Sequence, residues 1–263
     1  MSKLAPVVLV HGMWSTPDVF KELRSCFEDQ GYEVYTPRLP YHFPLPQMNK
    51  AARAGLKKSG VDDYVDAIST LIHSLDRKPI VIGHSLGGLL SQLIAAKNEC
   101  EKLILLSSAA PAGIHSWSWS VVRTLGHNLL KFPLWKSITN LNIRNIQYGV
   151  ANSQSRDVQE ALHAELTLES GRVSWQIAMW FLYKTPKTLV NAANVKCPVL
   201  VIGGTDDKIT PISIQRRIAQ KYGHQVTLCE IENACHWTIG GTFLPEISKT
   251  MLDWLNTNSA IAA

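Results

Sequence analysis

No apolar run in the 263 residues reaches the ~18 needed for a membrane helix, so no membrane span is expected. There is no C-x-x-C pair, no His-x-His, no His-Glu-x-x-His and no cluster of carboxylates, which leaves metal binding without support. A glycine-rich phosphate cradle is missing too, and no cofactor is implied. Basic residues exceed acidic ones, for a net charge of +5, but the densest groups are pairs such as Lys57-Lys58 and Arg216-Arg217. Nucleic acid would require a cluster, so it is not an expected partner. The N-terminal apolar run is too short for a signal-peptide core. The five cysteines, Cys26, Cys100, Cys197, Cys229 and Cys235, are odd in number and irregularly spaced, and they read as reduced packing residues of a cytoplasmic protein. No internal repeat or low-complexity tract is present.

What remains is a globular chain with 46% hydrophobic and 18% charged residues, long enough for one sizeable core. Val7 to Val10, Ile80 to Ile82, Leu103 to Leu106 and Val199 to Ile202 are apolar at nearly every position. Such runs suit strands covered by helices on both faces, which points to a parallel sheet. Glu33 to Leu39 and Gln225 to Ile231 add two more strands, for about six. Helical spacing with capping signals follows Asp18 and ends at Gly31; it recurs after Asp62-Asp63, over Leu89 to Lys97, and over Pro245 to Asn256. The stretch from Pro40 to Gly60 reads as a long irregular loop. From Pro111 to Lys187 the alternation stops; no strand-like run is visible, and helical spacing predicts a helical insertion. The chain therefore divides into a core, 1–110 with 188–263, and an insertion, 111–187.

The residues that carry chemistry begin with Gly83-His84-Ser85-Leu86-Gly87-Gly88, placed between a buried strand and a helix. A G-x-S-x-G pattern is weak alone, but this is where the nucleophile of a strand-turn-helix elbow sits. A serine needs a base to take its proton. Of nine histidines, His236 follows the last strand and precedes the closing helix, where a loop can return to the serine. His84 neighbours the serine but points elsewhere, and His73, His115, His127, His163 and His224 suggest no partner. Asp206 and Asp207 both lie just past a strand end, on the sheet edge where Ser85 emerges.

The elbow, the order Ser85, Asp207, His236, and the early His11-Gly12-Met13-Trp14 resemble the α/β-hydrolase family, in its serine esterase and lipase-like branch with a helical cap. That resemblance implies a mostly parallel sheet of minimal size flanked by helices, with residues 111–187 as the cap. In the family the acid stands three residues after the glycine and four before the proline of Gly-x-x-Asp-x-x-x-Pro, which implies Asp207 rather than Asp206. It also implies oxyanion donors at the backbone N–H groups of Met13, or Trp14 in its place, and Leu86. His11 is then a loop-shaping residue. The family's Asp-x-x-Gly-x-Gly turn is replaced by Pro37-Arg38-Leu39-Pro40-Tyr41-His42, and a serine nucleophile disfavours the branches that use a carboxylate.

The insertion holds five of the eight tryptophans, Trp117, Trp119, Trp135, Trp175 and Trp180. Aromatic surplus beside a nucleophile suggests an apolar pocket, for which Trp14, Trp117, Trp119, Trp180 and Trp237 are the candidates. The plain alternative is that these rings pack the insertion onto the core. The expectation is a serine hydrolase, monomer or homodimer, acting on a small apolar carboxylic ester. A thioesterase, lactonase or C–C hydrolase on the same residues is the alternative, and a non-catalytic ligand receptor is the reading from another class.

Overall fold

A computed structural model describes residues 4–259. Six strands form one sheet in the order β2, β1, β3, β4, β7, β8, every pairing parallel. These are β1 (Val7–Val10), β2 (Val34–Tyr35), β3 (Ile80–His84), β4 (Lys102–Leu106), β7 (Val199–Gly204) and β8 (Val226–Ile231). The expected count and pairing hold, although β2 is much shorter than Glu33 to Leu39.

The uninterrupted apolar runs have a direct cause. Val7, Leu9, Ile80, Ile82, Ile104, Leu106, Leu200 and Ile202 join one buried cluster, with α1 (Lys21–Glu28) and α10 (Leu244–Ser259). Their neighbours Val8, Val10, Val81, Leu103, Leu105, Val199 and Val201 join a second. That one is closed by α3 (Val61–His73), α4 (Leu86–Ala96) and α9 (Ile212–Tyr222). Side chains alternate across a strand, so a sheet covered on both faces needs apolar residues at every position.

Between β4 and β7 lie α5 (Trp119–Leu129), β5 (Ile138–Thr139), α6 (Ile143–Asn145), α7 (Arg156–Glu165), β6 (Glu169–Ser170) and α8 (Gly171–Ala178). A π-helical turn over Ile146–Val150 follows α6. The expectation of no strand here is corrected: β5 and β6 pair antiparallel, Ile138 with Ser170 and Thr139 with Glu169. Strands two residues long leave no periodicity to read.

The stretch from Pro40 to Gly60 is also corrected, because it contains α2 (Lys50–Lys58). The Asn49 side chain accepts the Ala52 N–H at 2.9 Å and caps it. Ala52 and Leu56, one turn apart, are buried with Met48 against Ile138 and Leu168. Gly55 looks like a helix breaker in sequence, yet here it makes room for the Tyr41 ring, with which any Cβ at this position would collide. A nine-residue helix whose partner is a distant two-stranded ribbon shows little of itself locally.

Candidate active site

Ser85 joins β3 to α4 with φ 54 and ψ −118, a conformation that L-residues rarely adopt. The strain is held by packing. A Cβ at Gly83 would meet the Gly87 carbonyl, and one at Gly87 would meet the Val10 carbonyl, so both glycines are required by close backbone approach. The turn lifts the Ser85 side chain off the end of β3, beside the loop that follows β1. Since β1 leads to β2 on one side and β3 lies on the other, this is where the strand order reverses and a crevice opens.

His236 arrives from the loop after β8, and its Nε2 lies 2.9 Å from Ser85 Oγ. Its Nδ1 lies 2.8 Å from Asp207 Oδ2, past the end of β7. The carboxylate accepts a hydrogen bond from Nδ1–H, which leaves the Nε2 lone pair facing the serine hydroxyl. Asp207 Oδ1 accepts the backbone N–H groups of Ile209 and Thr210, each at 2.8 Å, and Oδ2 accepts the Thr210 hydroxyl at 2.8 Å. Burial alone would raise this carboxyl; His236, through charge and a hydrogen bond, and the backbone and hydroxyl hydrogen bonds of Thr210 outweigh it and hold the group below its ordinary value. Asp206 is exposed, and its backbone carbonyl accepts Asn152 Nδ2. Of the two aspartates, it is Asp207 that faces the histidine.

Around this line stand two buried histidines. His11 Nε2 accepts the Leu39 N–H at 3.2 Å, which ties the loop after β1 to the chain beyond β2. His84 Nε2 lies 2.9 Å from the His236 carbonyl and steadies the backbone that carries His236. Burial pushes each imidazole down to about 3, with His42 adding to it at His11 and His236 at His84. Both rings are therefore neutral. Trp14 has φ 56; its indole Nε1 donates to Thr139 Oγ1 at 3.0 Å and its carbonyl accepts the Thr167 N–H at 2.8 Å. That residue fastens the loop bearing Met13 to the insertion.

Ser85 and His236 open into a cavity of about 150 Å³. Met13 and Leu86 line it beside the serine, and Leu86 begins α4, where the first N–H groups of a helix have no intrahelical acceptor. Trp14, Trp117 and Trp237 line it as well. Trp119 and Trp180 do not, and their placement in the pocket is corrected. Trp119 is 78% exposed, and Trp180 packs against His115 with centroids 5.1 Å apart. The insertion instead supplies aliphatic side chains, among them Leu125, Leu141, Ile146, Val150 and Leu166. Sequence reasoning missed these because apolar residues at helical spacing look the same whether they face a core or a cavity. It also missed Thr210, for which the Asp-x-x-Thr-Pro spacing was the only sign. Among the described residues that line the cavity, none is Lys, Arg, Asp or Glu.

Residues 7–239 match the alpha/beta hydrolase family. A curated relative, (E)-2-((N-methylformamido)methylene)succinate hydrolase of Acinetobacter baylyi, is 23% identical over 96% of this chain and 90% of its own. Among solved structures, a monoacylglycerol lipase of Paleococcus ferrophilus superposes with a TM-score of 0.70 at 22% identity, covering 95% of each chain. A methylesterase from Arabidopsis does so with a TM-score of 0.71 at 15% identity, over 95% of this chain and 98% of that one. The all-parallel sheet, the strained serine at the end of β3 and a family match spanning most of the sequence agree: the chain belongs to the alpha/beta hydrolase family.

Proposed function

We propose that this protein is a serine hydrolase of the carboxylesterase or lipase type, acting on esters with a neutral, apolar acyl group. The observation that carries the reading is the line from Ser85 Oγ through His236 to Asp207, at 2.9 and 2.8 Å. In this reading His236 Nε2 takes the serine proton as Oγ attacks the ester carbonyl. Asp207 fixes the tautomer and stabilises the imidazolium that forms. The Met13 and Leu86 N–H groups hold the oxyanion, an interaction whose loss typically slows such reactions by ~10²-fold or more. His236 then protonates the leaving alcohol, and water, activated by the same imidazole, releases the acid from Ser85.

Residues 111–187 act as a cap over the core formed by 1–110 and 188–263. They furnish the apolar wall opposite the serine, so an acyl chain rather than a charged group is the natural occupant. The Acinetobacter relative is named for a succinate, a dicarboxylate, and this cavity offers no Lys or Arg to receive one. The free cysteines suit a cytoplasmic enzyme, active as a monomer or homodimer without a cofactor.

The test is turnover of p-nitrophenyl esters of rising acyl length, beside acyl-CoA and lactone substrates, with Ser85→Ala as control. Ester turnover that falls at least ~10³-fold in the folded variant supports the reading. An unchanged rate in Ser85→Ala, or absence of Ser85 labelling by a fluorophosphonate, rejects it.

A further inference from the structure

Strands β4 and β7 are neighbours in register, with Leu103 opposite Val199. The chain enters both from the same end, where the Leu103 N–H donates to the Pro198 carbonyl at 3.1 Å. Cys100 precedes β4 by two residues and Cys197 precedes β7 by two. Both are buried, and their sulfurs lie 3.6 Å apart. A disulfide has its sulfurs about 2.05 Å apart, so a small rotation of the two side chains would join them. The two stretches of backbone lead side by side into neighbouring parallel strands.

We propose that Cys100 and Cys197 are an oxidisable dithiol, which a hydroperoxide converts to an intramolecular disulfide stapling together the two stretches of chain that border the insertion. The pair is chemically asymmetric. The hydrogen bond between the two thiols, with the Lys78 ammonium and a backbone hydrogen bond, holds the Cys197 thiol below its ordinary value against the effect of burial. Cys100 is pushed up by the same hydrogen bond and by burial. Cys197 is thus the attacking thiol and Cys100 the resolving one.

In the first step the Cys197 sulfur attacks one peroxide oxygen. The O–O bond breaks, leaving a sulfenic acid on Cys197, and the departing hydroxide takes a proton to become water. In the second, Cys100 attacks the sulfenic sulfur; the S–O bond breaks, the Cys100 proton goes to the leaving oxygen, and a second water departs. Two thiols have lost two electrons and two protons, and one peroxide has accepted them.

The thiols sit at the entry ends of β4 and β7, whereas Ser85 and Asp207 lie beyond the opposite ends of β3 and β7. Six residues of strand at about 3.3 Å each separate the two by about 20 Å. Oxidation therefore changes stability and leaves ester turnover alone. The residues are 97 apart in sequence, and closing so long a loop restrains the unfolded chain strongly.

The test takes the full chain, freed of reductant, and exposes it to hydrogen peroxide. It is then digested without reduction and mapped by mass spectrometry. A linked Cys100–Cys197 peptide is expected, with a thermal midpoint raised by roughly 10 °C that dithiothreitol reverses. Cys100→Ser and Cys197→Ser should each show neither effect. Oxygen added to Cys197 without a link overturns the proposal. So do links shared indifferently with Cys26 or Cys229, and a link that leaves the thermal midpoint where it was.

Discussion

Thr210 grips Asp207 at both oxygens, with its N–H 2.8 Å from Oδ1 and its hydroxyl 2.8 Å from Oδ2. The same hydroxyl oxygen lies 2.9 Å from the Ser107 carbonyl and 3.2 Å from His236 Nδ1. One side chain thus spans Asp207, His236 and the turn after β4. A hydrogen bond to a charged group contributes about 1.5–3 kcal/mol. Thr210→Val keeps the shape and removes the hydroxyl, so kcat should fall by roughly 10- to 100-fold with KM little changed. Thr210→Ser should restore most of it. Wild-type kcat in Thr210→Val would show that the backbone N–H groups alone hold the carboxylate.

The uncharged cavity makes a prediction about substrates. Placing a carboxylate among Leu125, Leu141, Ile146 and Val150 removes it from water with no cation to receive it. A penalty of about 3 kcal/mol or more corresponds to at least ~10²-fold in kcat/KM. A p-nitrophenyl ester of butyrate should accordingly be hydrolysed at least ~10²-fold more efficiently than the monoester of succinate. Equal rates would mean that the acyl group does not enter this cavity.

How much of this was visible in the sequence depends on what each residue's role requires. Ser85 and His236 stand out because a strained turn needs glycines at fixed spacing and a histidine that reaches such a turn can return on a loop after the last strand. The choice between Asp206 and Asp207 needed the family's loop spacing; adjacent carboxylates look alike until the backbone direction is known. The core strands were legible because both faces of the sheet are covered, so every position must be apolar. By contrast, α2 and the β5–β6 ribbon stabilise each other across more than 70 residues of sequence, and neither carries a local signal of the other. The tryptophans misled for a related reason. Helical spacing tells which residues share a face, whereas whether that face meets solvent, as at Trp119, or a cavity, as at Trp117, is settled by tertiary packing.

Two neutral histidines make the fold sensitive to acid. In the unfolded chain His11 and His84 bind protons near pH 6.5, while in the folded protein they do so only at about 3. Below pH 6.5 the unfolded state therefore holds more protons, and stability falls as pH falls until the folded pKa is reached. Between pH 7 and 5 each histidine should account for up to ~2 kcal/mol. Urea denaturation at the two pH values checks this. His11→Asn and His84→Asn should each flatten the slope by about half, whatever their effect on stability at pH 7. An unchanged slope in both variants would place the acid sensitivity elsewhere.

The last prediction concerns how the insertion is held down. His42 Nδ1 lies 3.1 Å from the Pro40 carbonyl and its Nε2 3.0 Å from Glu169 Oε2. Both ring nitrogens face acceptors, and the ring and the carboxylate of β6 are fully buried together. Tyr64 of α3 donates to the other oxygen at 2.7 Å, and the Ser170 N–H does so at 2.6 Å. The Glu169 carbonyl accepts the hydroxyl of Thr139, the residue that receives the Trp14 indole. Glu169→Gln replaces one acceptor oxygen of this buried network with an NH2 donor and should destabilise the fold by about 1–3 kcal/mol. KM should rise as Trp14 and the loop it anchors loosen. The triple variant His42→Leu, Tyr64→Phe, Glu169→Leu removes all three side-chain partners at once and should recover most of the lost stability, because replacing hydrogen-bonded partners together by apolar groups of similar shape is nearly neutral. Thermal or urea denaturation of the three proteins decides the matter: if Glu169→Gln is as stable as the parent, the pair does not hold the insertion in place.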